Sequence, residues 1–451
     1  MQKSYTAAEN YASTSATLGF GFASIPTRSC LIRPRWIGIY TVAMLAGLDQ
    51  LYSAQIGNLR RRLRGERLAV LTHAAAIDRR GRHLLTVLEE LGATPQVIFT
   101  PEHGLFADAQ AEEAVVSAGD AAAEAAPGPR IISLYGETKE RLSPTPEELE
   151  GIQLLVIDLA DVGSRYYTYV WTALLAARAA AAKGIHTVVL DRPNPISGDP
   201  LSLEGAPQRE GFLSFVGLEP LPIRHALTLG EMLAQIFERD GLALGPEGAL
   251  SVARVLGWER QRTAEAWGRP FIIPSPNMPT LETALVYPGG CLIEGTNLSE
   301  GRGTTAPFQI VGAPFLDGQA LAQALGEAGT PGVLVRPVTF KPTFEKHAGQ
   351  RCSGVMLHVT NPALFRPVAT YLTLITLARA QAPEAFAFRS TPYEFEATIP
   401  AFDLLTGSAE ARTAIIAGAS AEDVVATTAP VDPALREAVL AAEARLDHAA
   451  I

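Results

Sequence analysis

The chain has 451 residues, of which 47% are apolar and 19% are charged, a balance typical of a packed globular protein. Its formal net charge of −10 argues against a nucleic-acid-binding protein, because such a surface must be basic to neutralise phosphates. The cysteines, Cys30, Cys291 and Cys352, lie far apart and form no CxxC or Cys/His pair, so the sequence predicts neither a disulfide framework nor a zinc site.

Residues 1–46 form an N-terminal extension that differs in composition from the rest of the chain. Ser, Thr, Ala and Tyr dominate its first part, and three arginines then precede an apolar run that begins at Trp36. One hypothesis is an export signal, and the other is that translation starts at Met44. The basic region lies too far from the terminus for a convincing signal, and the run is shorter than the about 20 residues that span a bilayer. We therefore favour the cytoplasm over export and expect no stable membrane insertion.

From Leu68 onward, short apolar runs alternate with helix-like segments. The predicted strands cover 68–71, 97–99, 131–134, 154–157 and 187–190. The predicted helices cover 84–91 and 169–183, and two more begin at the capping-box patterns of Thr145 and Thr228. Near-continuous apolar strands between helices indicate a mainly parallel sheet that is covered on both faces. We therefore predict an α/β fold with a Rossmann-like catalytic domain over residues 47–285.

The pattern changes after the proline-rich segment Pro270–Pro279, in which no regular element is expected. Beyond it, helices are predicted at 319–328, 365–381, 409–417 and 433–446, and strands at 333–340 and 354–359. These elements indicate a smaller α/β or α+β C-terminal domain over residues 286–451.

Several catalytic and cofactor motifs are absent from the sequence. It contains no GxxxxGK[ST], GxSxG or HExxH pattern, the usual evidence for a P-loop, a nucleophile elbow or a zinc protease. Gly301-x-Gly303 lacks the third glycine of a dinucleotide fingerprint, so we do not interpret the predicted sheet as an NAD site. Asp158, Asp161 and His103 are a conceivable metal set, but their spacing is nonspecific and we predict no metal site.

Four polar loops, 99–110, 158–169, 191–198 and 294–304, carry most of the candidate chemistry. The first three follow predicted strands, at the edge where α/β sheets usually bind ligands. Their carboxylates, amides, arginines and tyrosines form a mixture that suits a sugar, and glycoside hydrolysis usually needs two acids. Each acid has a structural alternative as a helix cap or loop anchor, and His103 and His225 are either buried structural histidines or proton carriers.

The motifs FTPEHGLFADAQ, LLVIDLADVGSRYYTYVWT, VVLDRPNPISG and EGTNLSEGRGTTAPF occur in this order along the chain. Together they resemble the exo-lytic β-N-acetylmuramidases of the NamZ/YbbC type, from about Gly47 to the C-terminus. The resemblance implies a Rossmann-like domain joined to a smaller C-terminal domain, with the active site in the cleft between them. It also implies release of N-acetylmuramic acid from the non-reducing end of peptidoglycan fragments such as MurNAc-β-1,4-GlcNAc, without a cofactor.

The polar loops and the resemblance together suggest roles for residues of this chain. Glu102 of the PEHG motif becomes the strongest candidate for the general acid or base, with His103 and Glu300 as further catalytic candidates. The expected substrate-binding residues are Asp158, Asp161, Arg165, Tyr167, Asp191, Arg192, Asn194, His225, Asn277, Glu294, Asn297 and Arg302. Among them, Arg165, Arg192 or Arg302 would pair with the lactyl carboxylate that distinguishes muramic acid from glucosamine. The mechanism stays open between a second carboxylate and attack by the acetamido group of the substrate, and the oligomeric state stays open too.

Two positions depart from the pattern of the family. His73 stands where relatives tend to have an asparagine-containing turn, and Arg178 stands where an acid is expected. If that acid were catalytic, the protein would be altered or inactive, which keeps a non-catalytic muropeptide-binding protein as the alternative function. A different hydrolase, such as an amidase or esterase, would need a nucleophile or a metal that the sequence does not reveal.

Overall fold

The computed structural model describes residues 44–107, 109–110, 128–428 and 432–451. The predicted N-terminal extension, apart from its last three residues, lies outside these ranges, as does Asp108 in the loop that follows the PEHG motif. Within the described ranges, no helix is both long enough and apolar enough to cross a membrane.

A six-stranded parallel sheet forms the centre of the first part of the chain. Its strands are β1 (Leu68–Thr72), β2 (Pro95–Thr100), β3 (Arg130–Ser133), β4 (Leu154–Asp158), β5 (His186–Leu190) and β6 (Leu250–Ala253). Their spatial order is β3-β2-β1-β4-β5-β6, and every neighbouring pair is parallel. This is the strand order of the dinucleotide-binding fold, so the predicted Rossmann-like sheet is confirmed. The sequence pattern did not predict β6.

Helices cover both faces of this sheet. They are α1 (Gly57–Gly65), α2 (Leu84–Glu90), α3 (Tyr169–Ala182) and α4 (Leu229–Arg239), whereas the next helix, α5 (Leu281–Gly290), packs against the second part of the chain. Neighbouring strand residues point to opposite faces, so Val156 lies in the same core cluster as Leu88 of α2, whereas Ile157 lies in the same cluster as Trp171 of α3. Burial on both faces explains why the strands are almost entirely apolar.

The two predicted capping boxes have different outcomes. Thr228 and Glu231 form a complete capping box at the start of α4, as predicted. Thr145 and Glu148 also exchange both hydrogen bonds, at 2.9 and 3.3 Å, but only a turn follows, so the helix predicted there is wrong. The chain reverses at Gly151, whose φ is +73°, and β4 begins at Leu154, which leaves no room for a helix.

The second part of the chain contains a three-stranded antiparallel sheet with helices packed around it. The strands β7 (Ile310–Ala313), β8 (Val333–Phe340) and β9 (Cys352–Val359) lie in the order β7-β9-β8. The helices are α6 (Gly318–Ala328), α7 (Pro367–Gln381), α8 (Ala401–Thr406), α9 (Glu410–Ile416), α10 (Ala421–Ala426) and α11 (Pro433–Ala449). A smaller α+β arrangement after the Rossmann-like sheet is therefore confirmed, although the pattern did not predict β7, α5, α8 and α10.

The last helix returns to the first sheet. Helix α11 packs against α4, where the Arg445 guanidinium lies 2.9 Å from the Glu238 carboxylate. Ala450, just beyond the helix, forms an isolated parallel bridge with Val252 of β6. The C-terminal segment therefore packs against α4 and β6, which belong to the first part of the chain.

Candidate active site

A cavity of about 520 Å³ lies beyond the carboxyl end of β2, between the two parts of the chain. Its walls come from the PEHG loop, the start of α3, the proline-rich segment and the loops around residues 294–308 and 388–394. Eight residues singled out by the sequence contribute to the lining: Glu102, His103, Tyr167, Asn277, Glu294, Asn297, Glu300 and Arg302. The exposed residues Glu345, Ser390 and Thr391 also line it, so the cavity opens to solvent on their side.

Glu102 is held in a buried position at the wall of the cavity. Pro101 follows the last residue of β2, and the Glu102 side chain comes directly after it, with 6% of the residue exposed. The Thr168 hydroxyl, next to the start of α3, donates a hydrogen bond of 2.7 Å to Glu102 Oε2. A carboxyl group that is fixed by a hydrogen bond and lines a cavity is suited to exchange a proton with a bound molecule.

His103 adjoins Glu102 in a left-handed backbone conformation, with φ at +70°. Its Nδ1 lies 2.7 Å from the carbonyl oxygen of Ala109, which fits an Nδ1–H that donates to this carbonyl. Its Nε2 then faces Glu102 Oε1 at 4.0 Å. At this distance the imidazole is adjacent to Glu102 but does not form a direct hydrogen bond with it.

Across the cavity, four charged side chains form a compact ion-pair cluster. Arg302 Nη2 lies 2.6 Å from Glu294 Oε1, and Arg302 Nε lies 3.3 Å from Glu300 Oε1. Lys346 Nζ lies 3.0 Å from the other oxygen of Glu300 and also donates to the carbonyls of Ile293 and Leu298. Two cations thus balance two carboxylates within the cluster.

The electrostatics of the cluster follow from burial and from these contacts. Burial by itself raises the pKa of Glu294, but the charge of Arg302 and the hydrogen bond of 2.7 Å from the Tyr393 hydroxyl hold that pKa below its usual value. Burial lowers the pKa of Arg302, and the two carboxylates more than reverse this, so its pKa is raised. The guanidinium also lies 5.1 Å from the centre of the Phe308 ring.

Aromatic residues line the cavity between Glu102 and this cluster. The Tyr169 hydroxyl donates to the carbonyl of Pro274 at 3.0 Å, and the Tyr166 hydroxyl donates to the carbonyl of Pro288. The Tyr167 hydroxyl is buried close to the side chains of Ser275 and Tyr169, and Tyr167 also lines the cavity.

The two asparagines in the cavity wall form hydrogen bonds with different segments of the chain. Asn277 Nδ2 donates to Gln110 Oε1 at 3.0 Å and so connects the proline-rich segment to the PEHG loop. The Asn297 amide donates to the carbonyl of Ala385 and accepts from the backbone N–H of Ala387, at 2.8 and 2.9 Å. Asn297 is therefore engaged mainly in fixing the segment before residue 388.

Seven of the predicted substrate-binding residues do not line this cavity, and four of them, Asp158, Asp191, Arg192 and Asn194, lie at the ends of β4 and β5. Asp158 is fully buried and forms a bidentate pair with Arg192, at 2.5 and 3.0 Å. Asp191 accepts from the Thr228 hydroxyl and the Gly230 N–H at the start of α4, and burial raises its pKa to about 7. Asn194 bonds to the backbone of Ile196 and Leu227. These side chains connect the ends of β4 and β5 to neighbouring loops.

Arg165, expected at the substrate carboxylate, is instead a core residue. It is 1% exposed, and its guanidinium donates to the carbonyls of Ala206 and Leu221 at 3.0 and 2.8 Å and to that of Leu405 at 2.5 Å. Burial lowers its pKa to about 10. Arg165 therefore links the start of α3 to the end of α8.

Asp161 and His225 form a buried pair that also lies outside the cavity. His225 Nδ1 accepts from the Leu227 N–H at 3.2 Å, and His225 Nε2 lies 3.2 Å from Asp161 Oδ2. The same Asp161 oxygen accepts from the Gly163 N–H at 2.9 Å. Of the two predicted alternatives for His225, the structure supports the buried structural histidine.

His73 and Arg178, the two departures from the family pattern, both have structural partners. His73 Nε2 accepts from the Ala160 N–H at 2.9 Å, and its Nδ1 lies 3.4 Å from the Pro274 carbonyl. Burial, assisted by the charge of Arg192, lowers the pKa of His73 to about 3, so the ring is neutral. Arg178 lies on the outer side of α3 and pairs with Glu219 and Asp240 at 2.9 and 2.5 Å, so this departure does not reach the cavity.

Several cavity residues were missed by the sequence analysis. They are Glu345, Lys346, Arg389, Tyr393 and Glu394. All of them lie in irregular segments that follow β8 or α7, and no local motif marks them. Among the described residues, no group of three His, Cys, Asp or Glu side chains is arranged to hold a metal ion.

Comparisons with known proteins match almost the whole described chain. A family model for the N-terminal part of exo-beta-N-acetylmuramidase NamZ matches residues 68–282, and the model for its C-terminal part matches residues 285–433. The chain is 39% identical over 383 residues to the peptidoglycan beta-N-acetylmuramidase NamZ of Bacillus subtilis strain 168. The aligned region covers 84% of this chain and 86% of the relative.

Two solved structures from Bacteroides fragilis NCTC 9343, both described as DUF1343 family proteins, share the fold. One has a TM-score of 0.76 and 27% identity, and the match covers 88% of this chain and 98% of the solved chain. The other has a TM-score of 0.63 and 23% identity, and the match covers 89% of this chain and 98% of the solved chain. The second likeness extends to the fold alone.

Proposed function

We propose that this chain, which belongs to the exo-β-N-acetylmuramidase NamZ family, is a glycosidase that acts on peptidoglycan fragments. It releases N-acetylmuramic acid from the non-reducing end, and the disaccharide MurNAc-β-1,4-GlcNAc is the simplest substrate. The observation that carries the proposal is the buried Glu102, fixed by Thr168 at the wall of a cavity with aromatic and polar lining. A cavity of about 520 Å³ is in the usual range for a small-molecule site.

Glu102 is the proton donor in this proposal. Cleavage of a glycosidic bond requires protonation of the leaving oxygen, and a positioned carboxylic acid performs this step in most glycosidases. General acid catalysis of this kind contributes about 10²- to 10⁴-fold to the rate. The imidazole of His103, 4.0 Å from Glu102, is the further catalytic candidate next to it.

Arg302 is the proposed partner of the lactyl carboxylate. Of the three arginines considered from the sequence, it is the one that lines the cavity, since Arg165 and Arg192 are bonded elsewhere. Its raised pKa keeps it cationic, and Lys346 adds a second positive charge nearby. Glu294 and Glu300 hold the guanidinium plane in place and offer acceptors to sugar hydroxyl groups.

The decisive experiment is incubation of the protein with MurNAc-β-1,4-GlcNAc and, separately, with GlcNAc-β-1,4-MurNAc, followed by mass spectrometry of the products. We expect cleavage of the first disaccharide and not of the second. Binding of the first without cleavage would refute the glycosidase and support a muropeptide-binding protein. Cleavage of both would refute recognition of N-acetylmuramic acid at the non-reducing end.

A further inference from the structure

The loop between β8 and β9, residues 341–351, contacts the segment 293–303, which carries Arg302. It is longer than the usual hairpin connection of about 2–5 residues. The loop residues that form hydrogen bonds with this segment are Thr343, Lys346 and His347. The β8–β9 loop therefore supports a wall of the cavity in addition to joining two strands.

At one end of the segment, the two stretches of backbone approach each other closely at Gly303. The backbone N–H and the hydroxyl of Thr343 both donate to the Gly303 carbonyl, at 3.0 and 2.9 Å. Gly303 has φ at +75°, and a Cβ atom there would lie 2.8 Å from the Thr343 nitrogen and 2.7 Å from the Phe344 nitrogen. Glycine alone fits this position without movement of the backbone. The second glycine of the Gly301-x-Gly303 pattern therefore permits the contact between segment and loop.

At the other end of the segment, Lys346 and His347 bind backbone carbonyls. Lys346 Nζ donates to the carbonyls of Ile293 and Leu298, at 3.0 and 3.1 Å. His347 Nε2 lies 2.7 Å from the Asn297 carbonyl, which fits an Nε2–H that donates to it. An ammonium group has three N–H donors, so Lys346 uses two of them on this backbone. The β8–β9 loop therefore fixes the segment at both ends.

The backbone around Lys346 is strained. The residues on either side of it, Glu345 and His347, have φ at +64° and +60°. L-residues avoid this conformation, which persists where surrounding contacts impose it, commonly at functional sites. The hydrogen bonds of Lys346 and His347 to the segment 293–303 are contacts of this kind.

Lys346 also reaches the ion-pair cluster of the cavity, through Glu300. Its Nζ lies 3.0 Å from Glu300 Oε2, and Glu300 Oε1 lies 3.3 Å from Arg302 Nε. The Glu300 side chain is only 3% exposed, so it has little room to turn. Each oxygen of Glu300 thus faces one cation. The position of the Arg302 guanidinium therefore depends on a lysine that another segment supplies.

We infer that Lys346 is a positioning residue, which fixes Arg302 through Glu300 for contact with the lactyl carboxylate. The inference rests on the proposed function, in which Arg302 binds that carboxylate. A guanidinium and a carboxylate pair best through two parallel hydrogen bonds in one plane, so rotation of the guanidinium weakens the pair. Without Lys346, Glu300 loses the cation at its second oxygen and can turn together with Arg302. Lys346 therefore sets how strongly the site prefers N-acetylmuramic acid over N-acetylglucosamine, which lacks the lactyl group.

The test measures binding of N-acetylmuramic acid and of N-acetylglucosamine by NMR titration in the wild type, K346M and K341M. K341M is the matched control, because Lys341 is an exposed lysine of the same loop. K346M should lose about tenfold in affinity for N-acetylmuramic acid, while its affinity for N-acetylglucosamine stays within about twofold of the wild type. K341M should match the wild type for both sugars. A lysine that only stabilised the fold would change both affinities alike.

Two further variants separate the geometry of the cluster from its charge. G303A changes no charge, but its Cβ atom pushes the β8–β9 loop away, so it should lose the preference for N-acetylmuramic acid as K346M does. R302M should bind both sugars about equally, because the guanidinium itself is absent. In kinetics, K346M should raise KM for MurNAc-β-1,4-GlcNAc about tenfold and keep kcat within about threefold of the wild type.

The results that would overturn the role of Lys346 differ from those that would refute the proposed function. An unchanged preference in K346M, or equal losses for the two sugars, overturns the positioning role. A wild type that binds both sugars equally overturns the pairing of Arg302 with the lactyl carboxylate, and the role of Lys346 with it. A wild type that prefers N-acetylmuramic acid but leaves the disaccharide intact refutes only the proposed hydrolysis.

Discussion

Replacing Arg302 with methionine tests whether the ion-pair cluster of the cavity is a coupled, buried unit. The guanidinium lies 2.6 Å from Glu294 and 3.3 Å from Glu300, and 11% of its side chain is exposed. Methionine keeps much of the apolar stem but leaves Glu294 without its counter-charge. Removal of one partner from a buried pair costs about 3–5 kcal/mol, because the remaining charge stays buried. We expect a loss of this size in the free energy of unfolding of R302M at pH 7.

The loss should depend on pH in a defined direction. In the wild type, Arg302 holds the pKa of Glu294 below its usual value, so this contribution to stability is present above the unfolded pKa of about 4.3 and disappears as the pH falls through the folded value. In R302M, burial dominates and raises the pKa of Glu294, so the carboxyl group takes up a proton readily. The difference between the two proteins should therefore be largest at neutral pH and shrink near pH 4.

Urea unfolding at pH 7 and pH 4, followed by circular dichroism, measures this difference. R178M is the matched control, because Arg178 also contacts two acids but lies at the surface, where such pairs contribute under about 1 kcal/mol. Adding E294Q to R302M should recover part of the loss, since the buried charge is then absent. A loss in R302M no larger than in R178M, or one that does not depend on pH, would refute the reasoning.

Two other predictions concern Thr168 and His73. Thr168→Val removes the hydrogen bond of 2.7 Å to Glu102. We expect kcat to fall about tenfold with KM unchanged, which corresponds to about 1.4 kcal/mol in the activation barrier. T172V is the control, and an unchanged kcat in Thr168→Val would contradict the prediction. H73N replaces a buried ring whose pKa is lowered to about 3. In the unfolded chain this histidine takes up a proton below about pH 6.5, whereas in the folded chain it stays neutral. This group should therefore lower the free energy of unfolding of the wild type by about 1.4 kcal/mol for each pH unit below about 6.5, and H73N should lack that slope. Parallel plots of unfolding free energy against pH for the two proteins would contradict the prediction.

The local pattern of the sequence determined the architecture. Apolar runs such as Leu154–Ile157 are buried on both faces in the structure, and such runs between helices are typical of a parallel sheet. Glu102 was also found from local features, because Pro101 ends the strand and the following His-Gly turn directs the chain at the carboxyl edge. These features depend on neighbours within a few residues, which a single sequence displays.

The tertiary structure decided which polar residues share a site. Asp158 and Glu102 both lie at the carboxyl ends of strands, yet Asp158 is paired with Arg192 and only Glu102 reaches the cavity. Glu394 lies far along the chain from Glu102, yet both line the same cavity. The role of a side chain is set by the partners that packing brings to it, and contacts between distant segments leave no periodic trace in the sequence. Composition and spacing therefore indicate the chemistry available, whereas packing selects the groups that perform it.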